Sequence, residues 1–159
     1  MFRLLFHKPH HIQETRYSGK KTDLILDRKD REDGRVVIAR FYIVLHGTMT
    51  RVGYCDLRLE MNREMYYAGN IGYRIFTPYR GNGYAYDATV TLLSVGFDIY
   101  GMDEIIITCS PENTASRRTI EKLGGELLET VEVPEDHWLY ERGELVKNIY
   151  LFKKKDWER

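Results

Sequence analysis

The residues best placed to do chemistry are Arg80-Gly81-Asn82-Gly83. They lie between an apolar run ending in Thr77-Pro78 and a helical pattern starting near Tyr84. The first N–H groups of a helix have no partner within the helix, and the helix dipole is positive at that end. A strand, a glycine loop and a helix start, in that order, therefore make an anion site suited to a diphosphate. Gly81 and Gly83 let the backbone turn tightly and approach a ligand closely. Arg80 adds a fixed positive charge with a planar fork of donors.

The flanking elements must hold that loop in place. Tyr66 to Phe76 reads as the strand that feeds it, with Gly69 and Gly72 allowing a bulge or a close backbone approach. Tyr84 to Tyr100 reads as the helix that follows. Its Ala85, Ala88, Leu92, Val95 and Ile99 recur at three- and four-residue steps and form one apolar face. Asp87 falls in the first turn, where a negative charge suits the dipole, and Gly101 ends the helix. Glu104 to Cys109 is a short apolar strand, expected parallel to its predecessor and completing a right-handed βαβ unit. Asn113 then caps a second helix that runs to Leu123 and stops at Gly124-Gly125.

The rest of the chain reads mostly as strands. Thr22 to Asp27 is one, followed by a charged turn ending in Asp33-Gly34. Val36 to His46 is apolar on both faces for part of its length, as a central strand should be. In Arg51 to Leu59, Cys55, Leu57 and Leu59 share one face while Asp56 and Arg58 take the other. Glu126 to Val133 is a strand, and His137 to Tyr140 is expected to pair with Leu145 to Lys153 as a hairpin across Arg142-Gly143. Phe2 to Phe6 offers a short first strand. No repeat, low-complexity tract or linker interrupts the sequence, so residues 1–159 read as a single mixed α/β domain.

Three kinds of phosphate loop compete for Arg80 to Ala85. A P-loop needs GxxxxGK followed by Ser or Thr, which is absent. A dinucleotide loop needs GxGxxG, but Tyr86 stands at the third glycine, and Glu104 begins rather than ends the next strand. The remaining pattern, [Q/R]-x-x-G-x-[G/A], is met by Arg80, Gly83 and Ala85. With the flanking IGYRIFTPYRGNGYA and EIIITCSPENTASRRTIEKLGG, this stretch resembles the GNAT superfamily of acetyltransferases. The branch of the ribosomal-protein N-terminal acetyltransferases is closest in style. The resemblance is strong over residues 66–153 and loose over 22–60.

The resemblance implies a GNAT fold with antiparallel strands first, a βαβα crossover next and a C-terminal hairpin. It also implies acetyl-CoA as co-substrate, no metal, and acetyl transfer to a primary amine of a protein N-terminus or small molecule. Main-chain groups of Ile75 and Thr77 would line the pantetheine arm and polarise the acetyl carbonyl. Amides of Arg80, Gly81, Asn82, Gly83, Tyr84 and Ala85 would hold the pyrophosphate. Asn113 would contact the pantetheine side, or act only as a helix cap. Arg117 or Arg118 would reach a nucleotide phosphate, or simply face solvent. A homodimer is an expectation of the resemblance alone.

Catalytic groups are harder to place. Many relatives carry a tyrosine seven residues after the asparagine as general acid, where this chain has Ile120. Ser116 occupies the position of a serine proposed for the same role in the ribosomal-protein branch; its other reading is packing at the helix start. Relatives often place glutamate before the IGY stretch, and here it is Asn70, which cannot usefully accept a proton. Asp56, Glu60, Tyr73 and His137 remain as base candidates, or the amine loses its proton through water. The family usually places two helices between its first and second strands, for which this front end is short. If the acceptor site has decayed, the alternative is a non-catalytic acyl-CoA-binding module used in sensing or assembly.

Composition narrows the remaining classes. With 24 basic and 24 acidic residues the formal net charge is zero, which argues against a dedicated nucleic-acid binder. Cys55 and Cys109 lie far apart, form no CxxC pair and read as small buried hydrophobes. His7, His10 and His11 cluster around Pro9 without acidic or cysteine partners nearby, and read as a loop rather than a metal site. Neither a signal peptide nor a run of about 20 apolar residues is present, so membrane association is not expected and a cytoplasmic location follows by default.

Overall fold

Alternating side chains on Val36–Leu45 set the frame. Ala39, Phe41 and Ile43 enter the main core on one face, while Val36 and Ile38 pack on Met65 on the other. The structure, a computed structural model, describes residues 14–32 and 36–157. Five strands form the first sheet in the order β1 (Arg16–Ser18), β2 (Thr22–Glu32), β3 (Val36–Leu45), β4 (Arg51–Arg58) and β5 (Ile71–Ile75), so β3 is central as its two apolar faces require. Every pairing in it is antiparallel. Leu26, Phe41, Cys55 and Tyr73 stand opposite one another across β2 to β5, and the row carries Tyr73 inward at the edge of the sheet.

A second, three-stranded sheet has the order β6 (Glu104–Cys109), β8 (Val146–Lys153), β7 (Glu126–Glu132), again antiparallel. The helices that pack on these sheets are α1 (Arg63–Ala68), α2 (Tyr84–Ser94) and α3 (Thr114–Leu123), with a short α4 (Trp138–Glu141) in the connection before β8. One apolar cluster joins residues of both sheets, α2 and α3, from Leu24 to Phe152. Among the described residues no helix is long and apolar enough to cross a membrane.

Four expectations from the sequence are corrected. The stretch from Tyr66 to Phe76 is not one strand. Asn62 caps a helix by accepting from Met65 N–H at 2.9 Å, Glu64 lies in its first turn, and Gly69 ends it at φ +81°, so these local signals override the β-propensity of Tyr66-Tyr67. His137 to Tyr140 is likewise helical, because the His137 side chain accepts from Leu139 N–H at 3.1 Å and caps α4. The C-terminal hairpin is therefore formed by β7 and β8.

Nor do β5 and β6 form a parallel ladder; they meet at Asn70 and Ile106, and β6 pairs with β8 instead. Finally, Ile99 is 58% exposed although it was expected on the apolar face of α2. The helix widens into a π turn over Val95–Ile99, where Tyr100 N–H reaches Val95 O at 3.1 Å. The wider turn buries Val95 and Phe97 and rotates Ile99 outward.

At the front end, three residues join β1 to β2, so no helices intervene there among the described residues. The proposed strand at Phe2 to Phe6, the histidines at 7, 10 and 11 and the turn at Asp33-Gly34 lie outside the described residues.

Candidate active site

The loop after β5 is held from three directions. Phe76 leads into a 3-10 turn at Thr77–Tyr79 with Pro78 in its first positions. Asn82 braces the loop by donating from Nδ2 to Tyr79 O at 2.9 Å, and Arg80 Nε donates back to Ile75 O at 3.0 Å. From the turn between β1 and β2, Lys21 Nζ donates to Asn82 O at 3.0 Å. Gly81 and Gly83 have φ of +83° and +76°, a left-handed backbone that favours glycine, and Gly83 is the cap residue of α2. The start of α2 is pinned by Asp87, whose carboxylate accepts from Thr22 N–H at 2.9 Å and Thr22 Oγ1 at 2.8 Å, and from Lys21 N–H at 3.0 Å.

Beside this loop lies a cleft of about 480 Å³. Ile75, Arg80, Gly81, Gly83, Tyr84 and Ala85 line it from the loop side, and Asn113 and Ser116 line it from α3. The structure thus brings together most of the residues assigned to the donor. Thr77 and Asn82, also expected to contact the donor, are exposed and do not line the cleft. Arg117 pairs with Glu121 at 3.9 Å, and Arg118 is exposed; neither lines the cleft. Asn113 acts as a helix cap, accepting from Ser116 N–H at 3.2 Å, and it faces the cleft as well.

Tyr73 and Ser116 meet in this cleft with their hydroxyls 3.4 Å apart. Burial pushes the Tyr73 phenol above its ordinary value, against the smaller opposing effect of its hydrogen bonds to Ser116 and Thr119. Such a phenol keeps its proton at neutral pH and can give it to a departing anion. Ile120 is fully buried in the core, so the α3 position at which relatives carry a tyrosine does not open on the cleft here.

The other base candidates lie elsewhere. His137 is completely buried; Nδ1 accepts from Leu139 N–H, and Nε2 lies 3.0 Å from Glu64 O. One ring nitrogen thus caps α4 and the other fastens it to α1. Asp56 lies opposite Gly72, 3.4 Å from Arg58 Nη1, and lines a separate hollow of about 250 Å³ with Tyr42 and Tyr54. Glu60 pairs with Arg31 at 3.5 Å. Cys55 and Cys109 are free buried thiols, pushed up mainly by burial, and neither is suited to act as a thiolate nucleophile.

Three residues that build the framework around the cleft were not read as such from the sequence. Asn70, fully buried, joins the two sheets. Lys21 joins the β1–β2 turn to Asn82 of the glycine loop, and Asp87 joins that turn to the start of α2, across 61 to 67 residues of chain. Only the position of Asp87 in the first turn hinted at its use, and it suggested the dipole rather than a tertiary clamp.

Two sheets that part beside a glycine loop, with that loop opening a helix, define the acyl-CoA N-acyltransferase class of fold. The family model described as an acetyltransferase (GNAT) domain matches residues 5–126, and the chain belongs to that family. It is 40% identical over 86 residues to the uncharacterized N-acetyltransferase YnaD of Bacillus subtilis, an alignment covering 54% of this chain and 48% of that protein. The chain thus spans about half the length of that curated relative. Among solved structures, it resembles a GNAT-family acetyltransferase from Bacillus anthracis with a TM-score of 0.64 at 19% identity, over 89% of this chain and 99% of that one. It also resembles the ribosomal-protein-S5-alanine acetyltransferase of Vibrio fischeri, with a TM-score of 0.61 at 18% identity, over 77% of this chain and 64% of that one.

Proposed function

We propose that this protein is a single-domain enzyme that transfers an acetyl group from acetyl-CoA to a primary amine. The observation that carries this reading is the cleft in which the glycine loop, Asn113 and the Tyr73–Ser116 pair face one another. The diphosphate rests on the N–H groups at the start of α2, with Arg80 beside it. The pantetheine arm enters the gap between the sheets and pairs with the main chain of β5, whose outer edge forms no ladder with β6. A carbonyl oxygen can only accept, and that of Ile75 accepts from Arg80; the acetyl oxygen is polarised by main-chain N–H donors along that edge.

The amine lone pair attacks the thioester carbon, and the carbon–sulfur bond breaks. The departing sulfur takes a proton from Tyr73, with Ser116 as its hydrogen-bonded partner, and the nitrogen loses its own proton through water. Tyr73 thus serves as the acid rather than as a base, and His137 and Asp56 serve the scaffold. The acceptor is a protein N-terminus or a small-molecule amine.

Release of free thiol from acetyl-CoA, measured across polyamines, amino acids and peptide N-termini, tests the reading. One amine class should drive release well above hydrolysis. A protein that binds acetyl-CoA and releases no thiol with any amine would instead be the binding module.

A further inference from the structure

A second cation reaches the glycine loop from a distant part of the chain. The Lys21 ammonium rests on the Asn82 carbonyl at 3.0 Å. A Cβ built on Gly83 would lie 3.3 Å from Lys21 Nζ, so the charge stands against the residue that opens α2. Its backbone is anchored independently of this contact. The Asp87 carboxylate accepts from the N–H groups of Lys20 at 3.3 Å, Lys21 at 3.0 Å and Thr22 at 2.9 Å, and from the Thr22 hydroxyl at 2.8 Å. These four donors also bind the one carboxylate at the start of α2, so its charge faces the β1–β2 turn. A neutral carbonyl is a weak partner for an ammonium; an anion on the adjacent helix N–H groups is a stronger one.

We propose that Lys21 is a ligand of the donor's diphosphate. Its ammonium exchanges the Asn82 carbonyl for a diphosphate oxygen held at the start of α2. This rests on the reading of the loop as the acetyl-CoA site and adds a residue outside the loop motif. Lys21 is exposed and needs only a side-chain rotation to make the exchange.

The test compares wild type with Lys21→Met, which keeps most of the apolar stem, and Lys21→Arg. Affinities are measured for acetyl-CoA, 3′-dephospho acetyl-CoA, inorganic diphosphate and S-acetylpantetheine, after melting curves confirm that the variants fold. Lys21→Met should weaken both coenzyme forms and diphosphate by roughly tenfold and flatten their salt dependence. Binding of S-acetylpantetheine should not change, and Lys21→Arg should restore most of the loss. Equal losses for S-acetylpantetheine would make Lys21 merely structural and overturn the assignment. A loss confined to ligands carrying the 3′-phosphate would move the contact away from the diphosphate and overturn it too. Wild-type protein that fails to bind acetyl-CoA at all would sink the donor reading itself, an outcome distinct from either.

Discussion

Asn70 and Ile106 exchange two hydrogen bonds across the gap between the sheets: Asn70 N–H donates to Ile106 O at 2.7 Å, and Ile106 N–H donates to the Asn70 side-chain oxygen at 2.8 Å. The Asn70 amide donates in turn to Arg58 O at 3.0 Å, so one fully buried side chain ties β4 to β6. A carboxylate here would lack the amide donor and would place a charge in the core. Asn70→Leu should cost about 3 kcal/mol, because it strands Ile106 N–H and Arg58 O without their partners. Urea unfolding measures the loss. The KM for acetyl-CoA should rise with it, since this contact sets one end of the gap.

Gly83→Asp should abolish the rise in melting temperature that acetyl-CoA gives wild type by mass action. The substitution forces a side chain onto a backbone at φ +76° and sets a negative charge beside the diphosphate. Gly83→Ala, which adds about 1 kcal/mol of strain and no charge, should keep part of the shift. No shift with wild type would remove the donor assignment altogether.

Tyr73→Phe should lower kcat about 10- to 100-fold with little change in the KM for acetyl-CoA, as expected for a proton donor used in the transition state. Ser116→Ala should have a smaller effect in the same direction. Because burial raises the Tyr73 phenol above its ordinary value, the wild-type rate should fall only on the alkaline side of a free tyrosine's titration, as the proton is lost. That alkaline limb should vanish from the pH profile of Tyr73→Phe. A variant with wild-type kcat would end the role of Tyr73.

Asp23 supplies a pH dependence of stability. Burial alone would raise its pKa, but Gly47 N–H, His46 and Arg16 together lower it from 3.8 to about 2. A depressed folded-state value means the stabilisation is fully present above 3.8 and is lost as pH falls through about 2. The contribution is about 2 kcal/mol. Unfolding curves between pH 5 and about 2 should lose this amount in wild type, and Asp23→Asn should be less stable at pH 7 and show a flatter acid limb.

What the sequence made legible was encoded in neighbouring residues. Arg80 to Ala85, the Asn113 cap and the face of α2 up to Val95 each follow from a local rule. α1 and α4 escaped because they span only six and four residues, too few for a periodicity to emerge above strand-like tyrosines and tryptophan. Their caps, Asn62 and His137, were visible as residues but not as caps. His137 drew notice for its titration range, yet its environment is set by Glu64, 73 residues away, which no local pattern reports. The same limit hid Lys21. The Tyr73–Ser116 meeting depends on the strand register across β4 and β5 as well as on the placement of α3, and neither can be read from spacing.

The clamp on Asp87 has a further consequence. Surface glycine loops are commonly the first parts of a protein to open on their own, exchanging their amides for deuterium through small local fluctuations. Here the helix start cannot lift away without releasing four donors at once, two from the β1–β2 turn and two from Thr22, the first residue of β2 in the five-stranded sheet. Opening at the loop is thereby coupled to fraying of the sheet, and the amides at the start of α2 share the cooperative unit of the core.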